Sequence, residues 1–158
     1  MTTLSLSRDI YCPIDEVFAY HTDLERAPQH WTQVIACRRE RGPGAPEVGD
    51  RYAWRYRMYG VDFAGTLVVR EVVPGRRFAW DTQGGLRAAV RAEYTALSAQ
   101  RTRVAVHVDY DVPGGLIGRA VDRLLVESRN AADAERAMDR LVERLEAEVA
   151  ARLDMQPA

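Results

Sequence analysis

Between Asp50 and Val112 apolar residues recur at every second position; beyond "PGG" (Pro113 to Gly115) they recur at every third or fourth. The first period belongs to strands with one face buried and one wet. The second belongs to an amphipathic helix. In "RYAWRYRMY" Tyr52, Trp54, Tyr56 and Met58 share one face, and Arg51, Ala53, Arg55 and Arg57 share the other. Gly60 turns the chain into "VDFAGTLVVREVV", with Phe63, Leu67 and Val69 in step. Pro74–Gly75 leads into "RRFAWDT", where Phe78 and Trp80 alternate inward. Gly84–Gly85 precedes an inward set of Leu86, Ala88, Val90, Ala92 and Tyr94, and Val104, Val106, Val108, Tyr110 and Val112 close the series. Strands in succession with short turns predict an antiparallel meander. The later set, Ile117, Val121, Leu124, Ser128, Ala131, Met138, Leu141, Leu145 and Val149, predicts one helix of roughly 35 residues, about 50 Å long.

The N-terminal third supplies smaller pieces. Thr3 to Tyr11 alternates weakly and reads as a strand, Pro13 suits a helix start, and Thr22-x-x-Glu25 has capping-box spacing for a second short helix that Pro28 limits. "VIACRRER" reads as a strand, and "GPGAPEVGD", Gly42 to Asp50, as a turn-rich connection. A curved sheet with one apolar face and a helix with one apolar stripe are buried together by laying the helix across the sheet. The two short helices then plug one end, and the gap left between helix and sheet is a place for a small ligand. The expectation is one α+β domain over residues 1–153, with a short tail at 154–158.

All 22 basic residues are arginine. Without lysine there is no Schiff-base chemistry on this chain, no standard pyridoxal-phosphate attachment and no P-loop. A net charge of −1 gives no electrostatic case for nucleic acid or an anionic membrane. With no signal peptide before Asp9 and no long apolar run, a soluble cytoplasmic protein with reduced thiols and no membrane insertion is expected. Cys12, His21, His30 and Cys37 are separated by eight, eight and six residues. That is not the short paired spacing of a zinc site, so neither a metal nor another cofactor is expected. His21 and His30 read instead as helix-end residues in a segment that closes the cavity.

The order of a strand, then "CPIDEVFAYHTDLERAPQHW", a Gly/Pro loop ending "GD", paired strands ending "VVREVVPGRRFAW", and "RTRVAVHVDYDVPGGLIGRAVDRLL" before a long C-terminal helix resembles the START-like helix-grip superfamily (SRPBCC). Its polyketide cyclase/dehydrase and lipid-transport branch looks most similar. The resemblance covers nearly the whole chain and lies in layout, with no catalytic motif to carry over. It implies a curved antiparallel sheet wrapped around the long helix and a deep cavity for a hydrophobic small molecule. Members include aromatase/cyclases, lipid or hormone binders and quinone-binding proteins.

On this reading Trp54, Met58, Phe63, Leu67, Phe78, Trp80, Val106, Tyr110, Leu124 and Ser128 line the cavity. No Asp, Glu, His or Arg faces inward from the strands over 50–59, 86–96 or 103–112. An enzyme built this way works mainly by positioning a reactive chain, with Tyr56 and Tyr94 donating to a developing enolate oxygen. Two functions follow: a cyclase or dehydratase of a polyketide-type substrate, or a non-catalytic carrier or sensor of a lipid, quinone or similar molecule. A regulatory protein–protein module is a third class. Arg51, Arg55 and Arg57 form an outer stripe, read first as a solvated face and otherwise as a homodimer interface or an anionic carrier-protein dock.

Overall fold

A computed structural model describes residues 1–112 and 123–155. Seven antiparallel strands form one sheet: β1 (Thr2–Ile10), β2 (Val34–Arg39), β3 (Arg51–Met58), β4 (Val61–Val73), β5 (Arg77–Gln83), β6 (Ala88–Ser98) and β7 (Arg101–Tyr110). Their spatial order is β1-β7-β6-β5-β4-β3-β2, so the first strand closes against the last and everything from β2 to β7 is a meander. Register shifts at Val34/Ala36, Val69/Glu71 and Ala96/Ser98 bend the sheet, because an extra residue in one strand increases local twist. The β3 alternation holds: Tyr52, Trp54 and Met58 are buried, Tyr56 is half-buried, and the residues between them are exposed. The outer arginines are paired, Arg51 with Glu40 and both Arg55 and Arg57 with Asp62.

Helix α1 (Ile14–Thr22) and a 3-10 helix (Leu24–Gln29) follow β1, and α2 (Arg123–Asp154) ends the fold. The second short element is a 3-10 turn rather than an α-helix, and the expected capping box does not form. Asp23 takes the N-cap position, while the Thr22 hydroxyl is used inside α1, donating to the Phe18 carbonyl at 2.8 Å. Helix α2 buries Val126, Asn130, Ala134, Ala137, Met138, Leu141 and Leu145 on one stripe. Ile117 and Val121, expected on the same helix, lie outside the described residues. Polar contacts seat α2 along the β1 edge: Thr2 donates to Glu127, and Arg8 pairs with both Glu135 and Asp139. At its far end Arg152 pairs with Glu16 of α1.

The β3–β4 hairpin turns on Tyr59 and Gly60, with φ of 51° and 73°, as the tight turns matching strand twist require. Its tip is tied to α2: the Tyr59 hydroxyl donates to the Leu125 carbonyl at 3.1 Å, and the Arg129 guanidinium stacks over the Tyr59 ring. Loop 40–50 is held differently, by a buried ion pair. Arg39 contacts Asp50 and donates to the carbonyls of Gly44 and Ala45 at 2.5 and 2.8 Å; Asp50 also accepts from the Glu47 N–H and from Arg41. Burial works to raise the Asp50 carboxyl, but the Glu47 N–H and the two guanidiniums outweigh it and hold it below 3.8. Its contribution is therefore present above that pH and lost as the pH falls below it. Asp50→Ala is expected to cost about 3 kcal/mol in urea unfolding, because Arg39 is left buried and unpaired. An Arg39→Leu/Asp50→Leu double variant should lose less than the single one.

Candidate functional site

Between the sheet, α2 and the N-terminal segment lies an apolar pocket of about 120 Å³. Each strand face that alternation aimed inward contributes to it: Trp54, Tyr56 and Met58 from β3, Leu67 from β4, Phe78 and Trp80 from β5, and Val106 and Tyr110 from β7. Helix α2 supplies Asn130, Ala137 and Met138. The space is small. A cavity of ~150 Å³ holds a single benzene ring, so a larger ligand enters only as the walls move apart.

Three expected residues are placed elsewhere. Phe63 packs half-buried against the core without lining the pocket. Leu124 is 72% exposed, and Ser128 is exposed as well. The two helix corrections have one cause: the stripe of α2 that meets the sheet runs through Val126 and Asn130, which turns 124 and 128 outward. Asn130 is the polar residue that α2 presents. Its amide donates to the Tyr110 hydroxyl at 3.3 Å and approaches Met58 Sδ at 3.7 Å.

The pocket's two imidazoles come from its helical end, where the sequence offered no inward-facing strand residue. His21, from the last turn of α1, lines the pocket, and its Nδ1 lies 2.5 Å from the hydroxyl of Tyr94 on β6. The Tyr94 ring stands edge-on to Phe18, with centroids 5.1 Å apart. Tyr94 thus stands behind His21 rather than on the lining itself. His30 follows at the end of the 3-10 helix, its ring 6.1 Å from that of His21. Both histidines were expected as helix-end residues suited to a positive charge; the structure makes them neutral. Burial pushes His21 down to about 4 and His30, with help from His21 and Arg144, down to about 3.

Burial raises both tyrosine hydroxyls well above their usual range, so each stays protonated. The Trp31 indole N–H lies toward the Tyr56 hydroxyl and partly offsets that rise, without reaching hydrogen-bonding geometry. His30 Nδ1, Trp31 Nε1 and Trp54 Nε1 are all buried without a hydrogen-bond partner among the described residues. Each such group costs about 1–3 kcal/mol when left unmade. The lining otherwise contains no Arg, Asp or Glu among the described residues. Cys37 also faces the pocket, but burial pushes its thiol up to about 12, and it is a weak nucleophile there. Among the described residues no three of His, Cys, Asp and Glu converge to hold a metal, and no helix is long and apolar enough to cross a membrane.

No curated protein sequence matches this chain. Solved structures do. A protein of Thermus thermophilus superposes with a TM-score of 0.73 at 21% identity, covering 93% of this chain and 99% of that one. The Zhui aromatase/cyclase from Streptomyces sp. R1128 gives 0.71 at 13% identity over 96% and 95% of the two chains. A START superfamily protein from Mycobacterium smegmatis gives 0.66 at 16% identity over 90% and 98%. At such identities these likenesses establish the helix-grip fold. The sequence family described as polyketide cyclase/dehydrase and lipid transport matches residues 1–146. With a match over nearly its whole length, the chain belongs to the family of polyketide cyclase/dehydrase and lipid transport.

Proposed function

We propose that the protein is a cyclase-type enzyme acting on an apolar, polyketide-type carbonyl substrate, with His21 as the hydrogen-bond donor that activates it. One observation carries the reading: the His21–Tyr94 contact of 2.5 Å at the edge of an otherwise apolar pocket. The Tyr94 hydroxyl has no other acceptor among the described residues, so its proton goes to His21 Nδ1. A neutral imidazole accepting at one nitrogen carries its proton on the other. His21 therefore presents Nε2–H, and Tyr94 fixes that tautomer.

A β-dicarbonyl chain enolises readily, so the protein has little base chemistry to supply. What it supplies is a fold of the chain that brings the enol carbon to a second carbonyl carbon. As the carbon–carbon bond forms, that carbonyl's π pair moves to oxygen, where a preorganised donor is worth most. The oxygen takes up a proton, the enol loses one, and the aldol product then loses water. Tyr56 serves in this reading as a second donor, a role supported by its position on the lining and by the burial that keeps its hydroxyl protonated.

The scarcity of polar lining favours a second reading, a carrier that binds a hydrophobic molecule without changing it. Incubation with a synthetic aryl poly-β-ketone separates the two. Catalytic conversion to a product lighter by one water, followed by mass spectrometry, is expected. Stoichiometric retention at unchanged mass would refute the enzyme reading in favour of the carrier.

A further inference from the structure

Three nitrogens, on residues that line the pocket, have no hydrogen-bond partner among the described residues, and the residues that carry them are neighbours. His30 and Trp31 are adjacent in sequence, Trp31 lies toward Tyr56, and the Tyr56 and Trp54 rings are 5.8 Å apart. His30 and Trp54 are only 7% and 6% exposed, and all three residues line the pocket. We propose that His30, Trp31 and Trp54 form an oxygen-binding subsite, taking a neutral carbonyl oxygen of a flat, mostly apolar ligand. This rests on the reading of the pocket as a ligand site, but not on turnover.

The chemistry selects the ligand. An indole nitrogen only donates, so two of the three groups demand an acceptor. His30 is neutral and lacks the charge that would compensate a carboxylate, and no Arg faces the pocket among the described residues. A buried carboxylate would go unpaired there, whereas a ketone or quinone oxygen carries little desolvation cost. The nitrogens are closed to solvent, so a ligand reaches them by displacing the side chains that cover them. In doing so it satisfies donors that the free protein leaves unpaired. A hydrocarbon of the same shape cannot.

Acetophenone and α-methylstyrene test this, since they differ by a carbonyl oxygen in place of a methylene and, each being a little larger than benzene, ask the walls to part by the same small amount. The chain has three tryptophans, so three indole N–H resonances report directly on wild-type protein by ¹⁵N-correlated NMR. The indole protons of Trp31 and Trp54 should lie further downfield with acetophenone bound than with α-methylstyrene, while that of Trp80 should not differ. By calorimetry, the ratio of the two affinities should move about tenfold against acetophenone in Trp54→Phe, as loss of one hydrogen bond predicts. If both probes bind and leave Trp31 and Trp54 at the same shifts, the subsite is wrong and the pocket reading stands. If neither binds, both fail. Should Trp54→Phe not fold, the wild-type spectra decide alone.

Discussion

His21→Phe is expected to lower kcat on a poly-β-ketone by about 10²- to 10³-fold, the usual loss when one donor to a developing oxyanion is removed. KM should change little, because the donor is strongest on an oxygen whose charge appears only in the transition state. His21→Gln keeps a side-chain N–H and should recover part of the rate. Tyr94 acts through His21, so Tyr94→Phe should cost less, about tenfold in kcat, again with KM held. Its signature is spectroscopic. Wild-type His21 should show one tautomer, protonated at Nε2, in ¹⁵N spectra, and Tyr94→Phe should show a mixture. Because His21 is held down to about 4, kcat should carry no inflection at the ordinary imidazole value of 6.5. Full turnover in a folded His21→Phe would remove this pair from the chemistry.

Much of the architecture was legible because period two and period 3.6 are set by backbone geometry alone. Trp54, Tyr56, Met58, Leu67, Phe78, Trp80, Val106 and Tyr110 were assigned to the inner face by alternation, and the structure puts all eight on the pocket. Two of the misplacements come from the helix. The buried stripe of the described helix runs through Val126, Asn130, Ala134 and Met138, and at 3.6 residues per turn that leaves Leu124 and Ser128 outward and Asn130 inward. The histidines were hidden for another reason. His21 and His30 come from short elements with no long period, and the approach of His21 to Tyr94 depends on how α1 sits against β6, 73 positions on. The inventory of strand faces contained no acid–base residue, and the strands indeed turn His107 outward to the Ser5 hydroxyl, 3.0 Å away. The imidazoles enter from the plug instead. One local signal existed: two histidines and a tryptophan within a segment already read as closing the cavity.

The same two imidazoles should make the protein acid-sensitive at a pH where its carboxylates are still ionised. Their folded-state pKa values, about 4 and about 3, lie below the 6.5 of the unfolded chain. Below 6.5 the unfolded state therefore binds protons that the native state refuses, and stability falls with pH. With both groups refusing a proton, the slope is about 2.7 kcal/mol per pH unit. By about pH 5 the loss reaches roughly 4 kcal/mol, a large part of the 5–15 kcal/mol that holds an ordinary domain together. The loss continues until the pH nears the folded values. Depressed Asp50 adds its own loss only below 3.8, so the two effects are separated on the pH axis. Urea unfolding at a series of pH values from about 7.5 to about 4.5 measures the slope. Replacing both groups, in His21→Phe/His30→Phe, should flatten the curve over that range. A wild-type stability that stays level between those limits would mean that the helical plug opens to water far more readily than its packing implies. In that case the histidines titrate as solvated groups, and hydrogen exchange of residues 14–30 would report the opening.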